Sequence, residues 1–410
     1  MKIVLWKGYH HPDLLSLIQA AWSGEQLLVL CPPLLKDFSF VQHLPEGDIS
    51  FHGEWSESER AALPRDGFSK YRAQSLYPAT PVLGVFTSGS ISGRPRLVLY
   101  SKKNIESSLN GILSVFDAAR ITSIFCYPQP FHTFGLLLGY VQSIRLGIPL
   151  HTPEGKYTRD SHQKRARLAD PGLLTLGTPT HFYDLIHEDH GLAPSYSCII
   201  GGAPVTVRLW NSIRDDLRIE KPSIGYGCTE ACPGITHHPP GQPPREDSEI
   251  GFPLKDAHPE PLHGEGVRIS GPSLCLATID EAGIKFPSQL TIRDDIEVRP
   301  DGMWLYRGRL DLILNRGGQK YSLEQIELVL AQKLDVSAVA LAVKDERFGE
   351  DLGLLLKGQA PKNLGDLVRE EFGIQIKTSH LREVREFPQN ESLKLDRKAC
   401  RRLFEEVGSS

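Results

Sequence analysis

Ahead of residue 237 the chain alternates helical patterns with short apolar runs, and this alternation limits the fold more than any other feature. The helical pattern KKNIESSLNGILSVFDAAR at 102 to 120 gives way to the strand-like SIFCYP and, further on, to SCIIGG. A chain written this way buries a sheet between helices, the α/β layered class. With 410 residues there is room for about two to three domain-sized units and a sizeable core.

Two stretches rich in Pro, Gly and charge, HHPPGQPPREDSE (237 to 249) and KDAHPEPLHGEG (255 to 266), read as surface loops. Beyond them come short strands, GVRISG, QLTIRDD and MWLYRGR. The last hundred residues read as a compact α+β set: helix SLEQIELVLAQKL, strands SAVALAVKD and LGLLLKG, helix NLGDLVREEFG and a basic tail. A cut between Gly308 and Asp311 predicts a large N-terminal domain over 1–308 and a small mobile C-terminal domain over 309–410. No internal repeat or long low-complexity tract is present.

A net charge of −4 and a pI near 6.4 argue against nucleic acid or an anionic membrane as partner. The N-terminal apolar run, IVLW, is too short for a signal core or a membrane span, which makes the cytoplasm the expected location. Seven cysteines without a Cys-x-x-Cys pair read as reduced core or loop residues. The histidine pairs 10/11 and 237/238 read as surface residues. Oligomeric state is not encoded in any pattern.

The stretch FTSGSISGRPRLVLYS (86 to 101) is hydroxyl- and glycine-rich between two apolar strands, yet it lacks the Walker spacing. Thr87, Ser88, Ser90 and Ser92 offer hydroxyl donors, and Gly89 and Gly93 let backbone approach an anion; alone, it reads equally well as a flexible hairpin tip. GYGCTE (225 to 230) sets Tyr226, Gly227, Thr229 and Glu230 after a strand: a ring to stack a base, a hydroxyl for phosphate, a carboxylate for a metal. TIRDD (291 to 295) and YRGRLDLILNRGGQKYSLEQIE (306 to 327) add a carboxylate, an arginine and a Gly-Gly step. FPQNESLKLDRKACRRLF (387 to 404) adds a lysine within a basic tail whose plainer reading is a solvated amphipathic helix.

Taken in order, these stretches resemble the adenylate-forming superfamily of acyl- and aryl-CoA synthetases, luciferases and peptide-synthetase adenylation domains. The loop Thr-Ser-Gly-Ser/Thr-Thr-Gly-x-Pro-Lys is similar to Thr87 to Arg96, and Tyr-Gly-x-Thr-Glu matches Tyr226 to Glu230. The resemblance puts the ribose-binding Asp at Asp294, Arg309 and the hinge Asp311 in Gly-Arg-x-Asp, and the catalytic lysine at Lys394. Three departures stand out: the loop is one residue longer around Ile91, Arg96 replaces Lys, and Leu393 replaces the Gly before the lysine. The first motif begins early, which implies an abbreviated N-terminal subdomain.

The resemblance implies a two-step ligase. A carboxylic acid attacks the α-phosphate of ATP, pyrophosphate leaves, and a thiol then takes the acyl group from the adenylate. Lys394 would bridge the carboxylate and α-phosphate, Glu230 would hold Mg²⁺, and residues 87 to 93 with Arg96 would grip the departing phosphates. Tyr226 would stack on adenine, with Asp294 and Arg309 on the ribose. Rotation at Asp311 would then bring Gly317 and Gly318 to the tunnel of the CoA thiol. YPQPFHTFGL (127 to 136), with His132, and IIGGAPV (199 to 205), with Gly201, Gly202 and Ala203, correspond to the acid pocket. The lack of a carboxylate there argues against an α-amino acid. His181 and Tyr183 read equally as pocket or packing. Absence of a fused carrier domain suggests free CoA as acceptor, and the shortened architecture most resembles the o-succinylbenzoate-CoA ligases of menaquinone synthesis. Other aryl- or acyl-CoA ligases, carrier-protein loading, and a silent nucleotide binder are the alternatives.

Overall fold

The computed structural model describes residues 1–62, 77–87, 95–158, 160–187, 192–334, 336–390 and 394–406. Two compact units emerge. The larger comprises Met1–Glu260, Arg268–Leu290 and Val298–Leu305; the smaller comprises Pro261–Val267, Thr291–Glu297 and Tyr306–Ser410. Helices and strands of both sheets in the larger unit make this a mixed α/β protein, as the alternating pattern predicts.

One large sheet of the larger unit runs in the order Gly283–Lys285, Ala277–Asp280, Leu97–Ser101, Pro81–Phe86, Gln26–Cys31, Lys2–Lys7, Asp48–Gly53. Lys2–Lys7 pairs in parallel with both its neighbours, whereas Pro81–Phe86 and Leu97–Ser101 pair antiparallel, so the hairpin expected around residue 86 is present. Its core packs Leu5, Val29, Leu97 and Ile279 against Phe40, Trp55 and Phe86.

The second large sheet carries a parallel block in the order Ile219–Gly227, Ser195–Gly201, Leu173–Gly177, Ser123–Cys126, Leu150–His151. Leu173–Gly177 and Ser195–Gly201 are buried at every residue, as central parallel strands covered on both faces must be. Helices Pro179–His187 and Val207–Asp215 cover Cys198, Ile200, Ile219 and Ile224 through Phe182, Leu185, Leu209 and Trp210. Burying each such side chain contributes about 1.5–3 kcal/mol. Thr206 starts the second helix by accepting the Leu209 N–H on its hydroxyl (3.0 Å).

The helix expected over 102 to 120 spans Lys102–Leu113 only. Ser101 and Asn104 form a reciprocal cap at its start, and after Leu113 the chain turns through Val115 and Phe116, whose N–H groups donate to Ile112 and Leu113.

In the smaller unit Gln319–Ser322, Ile313–Arg316, Gly349–Lys357 and Ala338–Asp345 form an antiparallel sheet, with Leu381–Val384 pairing parallel to Gly349–Lys357. Helices Leu323–Leu334 and Leu364–Phe372 bury Ile326, Leu330, Leu364 and Val368 against Leu352, Leu354 and Leu356. Helix Arg397–Glu406 buries Cys400 and Phe404 against Val339, Leu341 and Leu355, members of the alternate set of strand residues.

Candidate active site

Because the strands of the second sheet's block are parallel, their carboxyl ends open on one edge. The segments that follow four of them are the ones the sequence singles out. Tyr127 to His132 follow Ser123–Cys126, Thr178 and His181 follow Leu173–Gly177, Gly202 and Ala203 follow Ser195–Gly201, and Thr229 and Glu230 follow Ile219–Gly227. In open parallel sheets this edge is where ligands sit.

The hairpin from the first sheet reaches the same set. At its base the Thr87 N–H donates to the Arg96 carbonyl (2.8 Å), and the Arg96 N–H returns a bond to the Thr87 hydroxyl (3.3 Å). Ser88, Gly89, Ser90, Ser92 and Gly93 lie outside the described residues, as does Ile91. The Arg96 guanidinium donates to Glu230 Oε1 at 2.7 Å. Two further bonds tie the neighbourhood: the Tyr100 hydroxyl donates to the Thr229 carbonyl (2.7 Å), and the Cys275 N–H to the Glu230 carbonyl (2.8 Å). Tyr226 is half-buried at the end of its strand. The pairing with Gly234–His237 slips a register after it, and a Cβ on Gly227 would overlap the Pro233 carbonyl oxygen. Only glycine fits there.

Around the proposed acid pocket, Gly202 has φ +85°, a conformation that disfavours any side chain. A Cβ on Gly201 would stand 3.3 Å from the Phe134 ring, and one on Gly202 3.5 Å from the Thr178 methyl. His132 is half-buried, its ring 4.6 Å from that of Phe131, at the entrance to the π-helix Phe134–Val141. Helices of that kind recur at functional sites. Tyr183 is exposed, which favours neither packing nor a pocket wall. His181 accepts the Thr178 N–H on Nδ1 at 2.9 Å.

In the smaller unit Arg309 grips Asp311 at both oxygens (2.7 and 2.9 Å), and its Nη1 stands 3.8 Å from Asp294. Burial raises the Asp311 carboxyl, but the Arg309 bonds and charge outweigh it and hold the group below the usual carboxylate range. The Arg309 N–H and the Tyr306 hydroxyl both donate to Glu324. Gly317 and Gly318 form the two-residue turn between Ile313–Arg316 and Gln319–Ser322, with φ +58° and +87°. That turn type demands positive φ at both positions. Lys394 is exposed; its N–H donates to Asn390 Oδ1 (3.1 Å) and its carbonyl accepts from the Asn390 N–H (2.8 Å), while Leu393 lies outside the described residues. Three residues on, Arg397 donates to both oxygens of Glu327 (2.8 and 2.7 Å).

Two readings require correction. His10, His237 and His238 are buried, not superficial, at 4%, 3% and 1% exposure. Each has hydrogen-bonding partners: His10 with Tyr140 (2.9 Å), His237 with Ser223 (2.8 Å), His238 with Glu249 (3.3 Å). The adjacent prolines and charges hid that His237 ends a buried strand, Gly234–His237. Sequence reasoning also missed Tyr157 and His162, which join Tyr127 and Asp184 in one hydrogen-bonded chain; no spacing rule links these positions.

Among the described residues no cluster of three or more His, Cys, Asp or Glu is able to hold a metal ion, and no helix is long and apolar enough to cross a membrane. The single carboxylate of Glu230 fits a Mg²⁺ that brings most of its oxygen ligands with it, as phosphate and water, but not a resident ion caged by protein.

Fold and edge together define an α/β protein built to take a ligand at the carboxyl ends of its parallel strands. The family model for AMP-binding enzymes matches residues 34–264, over half of the chain, and the chain belongs to that family. It is 26% identical over 302 residues to an oxalate–CoA ligase of Arabidopsis thaliana, covering 67% of this chain and 57% of that protein. It is 25% identical over 375 residues to the acyl-CoA ligase sidI of Beauveria bassiana, covering 82% and 64%. The chain thus spans somewhat over half the length of these relatives. Among solved structures, o-succinylbenzoate CoA synthetase of Bacillus subtilis in complex with its acyl-adenylate superposes with TM-score 0.77 at 16% identity, covering 97% of this chain and 87% of that one. The anthranilate CoA ligase AuaEII with anthranoyl-AMP gives 0.79 at 16% identity, covering 100% and 88%.

Proposed function

We propose that the chain is an ATP-dependent acid–CoA ligase that forms an acyl-adenylate, releases pyrophosphate and passes the acyl group to CoA. One observation carries this reading: Arg96, at the base of the first sheet's hairpin, reaches Glu230 at the ligand edge of the second sheet.

The roles follow from charge and reach. Adenylation crowds negative charge onto the phosphates, so catalysis is mainly a matter of positioning and of cations placed where charge develops. Arg96 and the loop from Thr87 to Gly93 take the β- and γ-phosphates. With Arg96 turned to phosphate, Glu230 would be free to hold a Mg²⁺ brought by the nucleotide, which would neutralise phosphate charge. Tyr226 stacks on adenine, with Gly227 and Thr229 beside the phosphates, and Asp294 and Arg309 serve the ribose hydroxyls. Lys394 brings a positive charge to the carboxylate and α-phosphate oxygens. His132, Gly201, Gly202 and Ala203 border the acid. A change of conformation at Asp311 replaces Lys394 with the Gly317–Gly318 turn, whose lack of side chains leaves room for the thiol of CoA.

The first acid to test is o-succinylbenzoate, whose adenylate the Bacillus subtilis neighbour binds. Acid-dependent ATP–pyrophosphate exchange across aryl, fatty and dicarboxylic acids tests the reading, followed by thioester identification by mass with CoA or carrier proteins. Exchange with at least one acid and a CoA thioester are expected. No exchange with any acid would leave only a nucleotide binder, and a thioester found only on a carrier protein would overturn CoA as acceptor.

A further inference from the structure

His181 sits at the start of helix Pro179–His187, between the segments that follow strands Ser123–Cys126 and Ser195–Gly201. Its ring is fixed on three sides. It stacks on Tyr127 at 5.1 Å and 14°, meets Tyr157 edge-on at 4.4 Å and 88°, and accepts the Thr178 N–H on Nδ1. The methyl of the same Thr178 stands 3.5 Å from where a Cβ on Gly202 would be, so Thr178 links the ring to the Gly202 turn.

The hydrogen bond decides the tautomer. A backbone N–H can only donate, so Nδ1 must carry the lone pair, and in the neutral ring the proton sits on Nε2. Burial pushes the imidazole down to about 3, which keeps it neutral at any physiological pH. Both hydrogen-bonding contacts of the ring fall on Nδ1, and none among the described residues falls on Nε2. That leaves Nε2–H as a rigid, neutral donor on a half-buried ring at the ligand edge.

The shelf beneath the ring is itself locked. Tyr157 gives its one hydroxyl proton to Asp184 (2.7 Å), so it accepts from His162 Nε2–H (2.9 Å), and His162 Nδ1 in turn accepts from the Tyr127 hydroxyl (2.8 Å). A donor held this firmly loses little entropy on engaging an acceptor. We propose that His181 is a specificity-determining residue that donates through Nε2 to an uncharged oxygen, a carbonyl or hydroxyl, on the acyl part of the acid substrate. The substrate is then an oxo- or hydroxy-substituted acid and not a plain alkanoate or unsubstituted aryl acid. This inference rests on the ligase reading above.

Three matched pairs of acids test it by ATP–pyrophosphate exchange: 3-benzoylpropanoate against 4-phenylbutanoate, salicylate against benzoate, and 3-hydroxyoctanoate against octanoate. In the best-used pair kcat/KM should favour the oxygenated acid by about tenfold or more. His181→Phe should bring the two members within about twofold by lowering the oxygenated one alone. His181→Gln, which keeps a donor, should restore part of the preference. Equal use of both members by the unaltered protein, or a preference that survives in His181→Phe, overturns the proposal. Exchange with no acid at all strikes instead at the ligase reading.

Discussion

The two units hold their key carboxylates differently. In the larger one, Glu230 receives a single bond from Arg96, whose side chain is 36% exposed. In the smaller one, Glu327 is held at both oxygens by Arg397 and also accepts the Ala340 N–H, and Asp311 is held at both oxygens by Arg309. A one-point pair with a partly exposed partner is cheap to open. A two-point pair is held more firmly, because both charge-assisted bonds must be released together. The first arrangement suits a carboxylate that changes partners when phosphate arrives. The second suits a frame that must not move, here the helix Arg397–Glu406 that follows Lys394.

The largest expected effect breaks the frame. Arg397→Met should destabilise the smaller unit by about 2–4 kcal/mol, read by peptide-level hydrogen exchange in urea. Arg96→Ala takes the one guanidinium bond from a buried Glu230 and should cost about 1–2 kcal/mol of stability, yet raise KM for ATP about tenfold through a lost charge-assisted phosphate contact, with Arg96→Lys recovering much of it. If Arg96→Ala unfolds as readily as Arg397→Met, the contrast between the units is wrong.

The smallest effect separates the units by pH. Burial lowers His10 and His237 to about 4, so between the ordinary histidine value near 6.5 and pH 4 the unfolded chain binds more protons than the folded one. Stability contributed by keeping them neutral is whole above pH 6.5 and falls as pH drops, by about 1 kcal/mol in total from pH 7 to 6. Asp311 is depressed instead, so its contribution is whole above the ordinary carboxylate range and lost only below it. All five tryptophans, at 6, 22, 55, 210 and 304, belong to the larger unit, so fluorescence melts report on that unit alone. Their midpoint should fall between pH 7 and 6 while hydrogen exchange in the smaller unit stays unchanged; earlier loosening of the smaller unit would contradict this assignment.

Local patterns were readable and long-range pairings were not. The hairpin around Thr87 and Arg96, the buried strand before Gly201 and the Gly317–Gly318 turn each follow from a few neighbouring residues. That Arg96 meets Glu230, 134 positions away, depends on how two sheets come together. The same holds for Tyr127, Tyr157, His162 and Asp184, gathered from three separate segments. His237 and His238 misled for the opposite reason: a loop-like composition next door masked a strand whose polar side chains are paired inside.

On the proposed function, Lys394 serves only the first half-reaction, adenylate formation. The direct test compares the two half-reactions in Lys394→Ala. Adenylate formation, followed as acid-dependent pyrophosphate exchange, should fall by about a hundredfold or more, while conversion of a supplied acyl-adenylate to the CoA thioester stays within about threefold. Equal loss of both half-reactions, or retention of both, would contradict it.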